Sequence, residues 1–383
     1  MRVFVDRALE RARELGPQLP APGEGRTAEL WRTLSELGRT DLAYARIIEP
    51  HLDALAILHQ AGREDLVTDH DTWAVWAAEG PGEPLLATPT TPPGGTGAGT
   101  TWALTGTKPW CSLADSVTRA VVTAHVTDEH GEPTGHRRAF VVATDHPGFQ
   151  PAPVTQWTSH GLAEVVTVPV TFEAVPAEPL GADEWYLTRP GFAWGGMGVA
   201  AIWLGGAQSV ADLLWHQLRH PRRPVDDAAH TALGQLDLTL GAARAVLEQA
   251  AAAVDAGDAA GDRGAAWALR VRRTVADAAE TVIRVVSRAT GPGPLTGDPA
   301  HIRRVESLQV YIRQDHAERD TAALGRTLLA LAAEDSARAD DAATTGPAAT
   351  SPARATRSAA ESWASGTPRT VPGAGAAPED TPW

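Results

Sequence analysis

Apolar residues recur at helical spacing at both ends of the chain and give way to short β-prone runs in its middle. In the first fifteen residues Val5, Ala8, Leu9, Ala12 and Leu15 share one helical face, with charges elsewhere. This predicts an amphipathic helix and lacks the unbroken apolar region of a signal peptide. A Pro/Gly linker over Pro17–Gly25 leads to two further helical patterns, Thr27–Leu37 and Asp41–Gln60. Thr27 is expected as an N-cap, Gly38 as a left-handed stop, and Pro50 as an interruption or restart of the second helix. From Asp71 to about Pro190 the runs Trp73–Ala77, Trp102–Thr105, Arg119–Val126, Arg138–Ala143, Val165–Val168 and Thr171–Ala174 alternate with turn residues. The turns include the tip Pro92-Pro93-Gly94-Gly95 and the polar loop Asp128–Gly135. An antiparallel β domain, a small barrel or sandwich, is expected. Beyond Pro190, Gly191–Arg219, Asp226–Ala256, Asp262–Thr290 and Pro299–Ala333 predict an up-and-down four-helix bundle.

The fold class is therefore multidomain α+β: a short helical domain over 1–70, an antiparallel β domain over 71–190 and a four-helix bundle over 191–335. Residues 336–383 are Ala, Thr, Pro, Ser and Gly with hardly any large aliphatics, and predict a disordered tail.

Composition narrows the function classes. A net charge of −14 argues against non-specific nucleic-acid binding, which needs a basic surface. The most apolar stretch, Gly191–Leu214, is Gly-rich and contains Asp212; it reads as a buried helix, and no membrane span is expected. The single cysteine, Cys111, allows no intramolecular disulfide and fits a reducing, cytoplasmic location.

Several motifs bear on chemistry. Gly196-Met197-Gly198-Val199-Ala200-Ala201 fits a dinucleotide pattern, but it lies inside a long helix with no preceding strand, so its glycines read as close helix packing. His316-Ala317-Glu318 has the H-x-E spacing of zinc deaminases without the P-C-x-x-C that should follow, and reads as a solvated helix face; no metal site is expected. The stretch Lys108-Pro109-Trp110-Cys111-Ser112 is more informative. In extended chain Trp110 and Ser112 point to the same side, and an indole beside a hydroxyl suits a planar heteroaromatic ligand; a core tryptophan beside a turn serine is the alternative. Gly291-Pro292-Gly293 is either a helix stop or a loop offering backbone amides to a phosphate.

A helical domain, a β domain bearing Leu104-Thr105-Gly106-Thr107-Lys108-Pro109-Trp110-Cys111-Ser112 and a four-helix bundle, in that order, resemble the acyl-CoA dehydrogenase superfamily over residues 27 to 333. The resemblance implies an FAD-dependent oxidoreductase that dehydrogenates an acyl thioester at its α,β bond. It assigns Trp110 and Ser112 to the flavin ring, and Arg219 or Arg222 to the FAD diphosphate. Gly291 and Gly293 would meet the FAD of a neighbouring subunit in a homodimer or homotetramer, and an electron-transfer flavoprotein would take the electrons. The segment from Thr171 to Gly181 resembles the family's closing β segment. The family's T-E-P-x-x-G-S-D stretch corresponds to Trp76-Ala77-Ala78-Glu79-Gly80-Pro81, which makes Trp76 a candidate flavin contact and departs from the coenzyme A pattern. Alignment of Tyr311-Ile312-Arg313-Gln314 puts Ala322 and Ala323 where the catalytic glutamate and its glycine are expected, and the alternative glutamate site falls near Gly195. The nearest carboxylates are Asp320 and Glu318, of which Asp320 is the better placed candidate base. Without a base, a flavin monooxygenase on the same fold, or a non-catalytic subunit pairing with an active homologue, are the other readings.

Overall fold

The computed structural model describes residues 1–90, 101–221, 224–344 and 381–383; the 92–95 tip, Arg222 and residues 345–380 of the expected tail lie outside them. Three helices come first: α1 (Arg2–Leu15), α2 (Thr27–Thr40) and α3 (Leu42–Gln60). The strands follow, β1 (Trp73–Trp76), β2 (Leu86–Thr90), β3 (Thr101–Ser112), β4 (Arg119–Thr127), β5 (Pro133–Ala143), β6 (Phe149–Pro151) and β7 (Thr167–Leu180). Then come α4 (Trp185–Thr188), α5 (Pro190–Arg219), α6 (Asp227–Asp255), α7 (Gly261–Thr290), α8 (Gly293–Gly297), α9 (Pro299–Tyr311) and α10 (Glu318–Thr344).

The helical order obeys the apolar periodicity. The buried residues of α1 are Val5, Ala8, Leu9, Ala12 and Leu15, the face read from the sequence. Three local expectations need correction. Arg26, not Thr27, is the N-cap of α2, because the Thr27 hydroxyl is used to bind the Asp255 carboxylate. Pro50 neither stops nor restarts α3: burial of Ile47, Ile48, Ala54 and Ile57 outweighs the one backbone hydrogen bond that the imino nitrogen cannot make. Gly38 does not end α2 either. It lies against α5, where a Cβ would come within 2.5 Å of the Ile202 carbonyl oxygen, and at Gly205 a Cβ would be 1.9 Å from that of Ser35. Two helix backbones touch there, as the glycine-rich sequence of α5 suggested. Although α5 is long and apolar enough to cross a membrane, 83% of its most apolar window is buried inside the fold.

The β region is mixed rather than purely antiparallel. Strands β1 and β2 both pair parallel with β4, at Trp73↔Arg119 and Leu86↔His125, because each reaches β4 through a crossover rather than a hairpin. Antiparallel pairings β2–β3, β3–β7, β7–β5 and β5–β4 close a five-stranded ring, with β6 added to the edge of β7. The two runs expected at 165–174 merge into β7, which passes through a left-handed Ala174. On the outside of the ring Ala54, Ile57 and Leu58 of α3 pack against Trp73, Val121 and Val141.

The fourth bundle segment is broken. Buried Asp315, bridged by Arg273, and left-handed Ala317 separate α9 from α10. Disorder from Ser336 is also corrected, since α10 continues to Thr344 and Trp383 is buried against Trp215, its indole N–H donating to Asp212.

Gly205→Ala should cost about 3 kcal/mol, because backbone rather than a flexible side chain must yield, and should lower the urea midpoint accordingly. Gly234 in α6 has no neighbour within 4 Å of a built Cβ, so Gly234→Ala should lose nothing and gain up to about 1 kcal/mol.

Candidate functional site

Strand β3 carries the Trp110-Cys111-Ser112 segment on an irregularity. Lys108 pairs with Val170 and Cys111 with Val168, so one extra residue is accommodated. Trp110 takes it up in a left-handed conformation, φ 58°. The expectation that Trp110 and Ser112 share one side rested on regular alternation, and the bulge breaks it: Trp110 is 59% exposed while Ser112 is 8% exposed. Ser112 Oγ lies 2.9 Å from the Thr167 hydroxyl and receives a long contact of 3.4 Å from Arg46 Nη2 on α3. Trp76 supports this end of the strand from behind. It is buried and stacked on Phe149, and its indole N–H donates to the Ser112 carbonyl at 3.0 Å. Trp76 therefore offers no open face to a cofactor, because its ring is used to hold the strand. Lys108 does similar work: its buried ammonium binds Glu79 and Thr123 at 3.0 Å each, and burial lowers its pKa against the pull of Glu79.

Arg46 begins a charged stripe that the sequence reading missed. Arg46, Glu49 and Asp53 stand at i, i+3 and i+7 on α3 and so share one face. Arg46 lies 5.6 Å from the Tyr311 ring centre and pairs with Glu49 at 3.4 Å. Further along, Glu49 and Asp53 line a cavity of about 220 Å³ enclosed by α2, α3, α5 and residues 16–24. Its other walls include Trp31, Leu34, Leu52 and Trp194. Gly195 forms part of the α5 wall, and a Cβ there would be 2.9 Å from Asp53 Oδ1. Among the described residues Asp53 has no hydrogen bond or ion pair. The Trp31 indole N–H, buried in the same wall, also lacks an acceptor.

Burial sets the proton affinity of both carboxyls. Glu49 is pushed up to about 7 by desolvation, against Arg46 and Arg272 and helped by the Asp53 charge. Asp53 is likewise raised, against Arg189 and Arg46. The sequence signal was available: Glu49 and Asp53 interrupt the most apolar helix of the first 70 residues, on the face of Arg46, where a solvated stripe has no place.

The other site candidates do not gather here. Glu318 is exposed, and Asp320 Oδ2 accepts from the His316 amide at 3.0 Å, capping the start of α10. After the break that follows Tyr311, α10 packs on α7, and Asp320 does not line the cavity beside Glu49 and Asp53. Arg219 ends α5 with its guanidinium over Trp215, at 5.8 Å. Gly291, φ 70°, is the C-cap of α7, and Gly293 opens the five-residue α8; a Cβ on either would meet open space.

Residues 185–294 match the family model for the acyl-CoA dehydrogenase C-terminal domain. The matched segment, from α4 to the start of α8, is thus similar to that family's C-terminal domain. Solved structures share the fold over nearly the whole chain. KijD3 in complex with FMN and dTDP-3-amino-2,3,6-trideoxy-4-keto-3-methyl-D-glucose is 22% identical, with a TM-score of 0.66 and coverage of 87% of this chain and 93% of that one. TdsC from Paenibacillus sp. A11-2 with FMN and indole is 17% identical, at 0.65, with 86% and 94% covered. Glutaryl-CoA dehydrogenase from Mycobacterium smegmatis is 20% identical, at 0.68, with 86% and 89% covered. No curated protein matches the sequence.

Because Glu49 holds its proton to higher pH when folded, the stability it contributes is full below its ordinary 4.5 and is lost as pH rises through about 7. Glu49→Gln should therefore gain on the parent by roughly 2 kcal/mol between pH about 5 and about 8, read from paired urea melts. Parallel stability curves for the two proteins would contradict the raised pKa.

Proposed function

We propose that the protein is a flavin-dependent oxidoreductase, with FAD as cofactor, that dehydrogenates an acyl thioester at its α,β bond and passes the electrons to an electron-transfer flavoprotein. The observation that carries the reading is Trp110. A left-handed tryptophan costs about 1–3 kcal/mol of backbone strain and leaves a large indole in water, an arrangement that stacking against a planar ring would offset. Two residues further along β3, Ser112 and the Arg46 cation of α3 that contacts it are a donor set that fits the polar edge of an isoalloxazine. A bound flavin supplies a two-electron acceptor; what this chain supplies is the platform and the hydroxyl. Arg219 would reach the diphosphate, and Gly291 and Gly293 would serve a second copy in a homodimer or homotetramer.

A flavin monooxygenase is the second reading. It is favoured by the stretch Trp76–Pro81, which departs from the coenzyme A pattern, and by the FMN complexes of KijD3 and TdsC on this fold.

Purified protein should show an oxidised-flavin spectrum or take up FAD, and anaerobic acyl-CoA should bleach it. A colourless protein that binds neither FAD nor FMN would remove both readings. A flavoprotein inert to acyl-CoA but consuming oxygen when supplied with reduced flavin would favour the second. Trp110→Ala should weaken flavin retention about tenfold with an unchanged melting temperature. Equal retention in variant and parent would show that the indole is not the platform.

A further inference from the structure

The cavity beside Gly195 holds a carboxylate with nothing to bind. Asp53 lines this partly open, mostly apolar cavity, yet no described residue donates to it, and the buried Trp31 N–H in the same wall has no acceptor. A carboxylate set among apolar walls without a partner is available to a ligand or a proton rather than to the structure. Its place relative to Ser112 is set by α3. Arg46, which touches the Ser112 hydroxyl, precedes Asp53 by seven residues, about 10 Å along the helix, on the same face.

We propose that Asp53 is the catalytic base of this site, with Glu49 one turn before it as the positioning residue that shares its proton. The inference rests on the acyl-dehydrogenase reading above and deepens it. In the step, the Cα–H bond of the acyl thioester breaks and its proton goes to an Asp53 carboxylate oxygen. The Cβ–H bond would break with its electron pair, for which a bound oxidised flavin would supply the two-electron acceptor, and the Cα=Cβ bond would form. One proton would thus go to Asp53 and one hydride equivalent to that acceptor.

The surroundings suit a base that must release its proton each turnover. Burial opposes the ionised form of Asp53, while Arg189 at the start of α5 and Arg46 on α3 favour it. Glu49 is raised by burial and by the Asp53 charge, against Arg46 and Arg272 on α7. Tyr186 of α4 and Tyr311 of α9, whose own hydroxyls burial holds in the neutral form, lie nearby, and the Glu24–His59 pair lines the same cavity. Both carboxyls are raised, Glu49 to about 7, and the Asp53 charge is part of the cause at Glu49. Gly195 leaves the room: a side chain there would fill the space into which Asp53 reaches from α3.

The test uses the full chain loaded with FAD and a short-chain and a long-chain saturated acyl-CoA as probes. Two quantities are read: the anaerobic rate of flavin bleaching, and deuterium uptake at the α carbon from D₂O by mass spectrometry. Asp53→Asn should lower both by about 10²-fold or more while flavin content and melting temperature hold, and Asp53→Glu should restore part of each. Glu49→Gln should retain exchange but move the midpoint of its pH profile downward, which a purely structural residue would not do. If Asp53→Asn unfolds, the Glu49→Gln profile decides, and an unmoved midpoint overturns the proposal. Parental rates in Asp53→Asn overturn it while leaving the acyl-dehydrogenase reading intact. A flavin-loaded parent that neither bleaches nor exchanges with either probe overturns that reading, and this proposal with it.

Discussion

Charge shut between α3 and the C-terminal helices is the constraint on which the arrangement of the site depends. Arg46, Glu49, Asp53, Arg189 and Arg272 meet in a layer that α5 and α7 cover from one side while the other face of α3 lies on the sheet. Taking such groups out of water costs several kcal/mol each unless they answer one another. The cations are the better served: Arg189 donates to Gln60, and Arg272 to the carbonyls of Gly196 and Gln314. Glu49 has Arg46 alone, at 3.4 Å, and Asp53 has no direct partner. The uncompensated part of the layer thus falls on two acids, and falls on the side that opens into the cavity.

The helix frame makes that layer possible. Touching backbones at Gly38–Ile202 and Ser35–Gly205 lock α2 to α5, which fixes the α5 wall behind Asp53 without side chains in between. On the opposite face, Ala54, Ile57 and Leu58 fix α3 to the sheet next to Trp73. With both faces held, the 46–49–53 stripe cannot rotate its charges into water. The same frame aligns α3 with the end of β3, where Trp76 and Thr167 hold Ser112.

Much of the fold was legible because it follows from periodicity. The buried face of α1, the limits of α5, α6 and α7, and most strand positions come from apolar spacing that burial must obey. What escaped depends on contacts distant in sequence. Nothing local distinguishes a glycine that ends a helix from one that lies against another, so Gly38 reads as a stop. Alternation along β3 puts Trp110 with Ser112 only if the ladder is regular, and the bulge is set by the register against β7. At the candidate site, Ser112 and Trp110 are marked by their motif. Asp53 carries no such local signal, since the carboxylate beside Gly195 comes from a helix more than a hundred residues upstream. Trp383 was unreadable for a related reason: a single aromatic at the end of a polar segment shows no pattern, and only Trp215 and Asp212 give it a place.

The short N-terminal region gains its meaning from the cavity. Residues 16–24 form its outer wall, and left-handed Gly23 lets that segment lie on the Trp194 indole, where a Cβ would approach within 2.7 Å. At about 220 Å³ the chamber is smaller than pockets that enclose a whole drug-sized ligand, typically about 300–1,000 Å³. On the proposed reading, the chamber admits only the reacting end of an acyl thioester, past Asp53 and between the apolar side chains of Leu30, Leu34, Leu52 and Leu55, with Glu24 and His59 also in the lining.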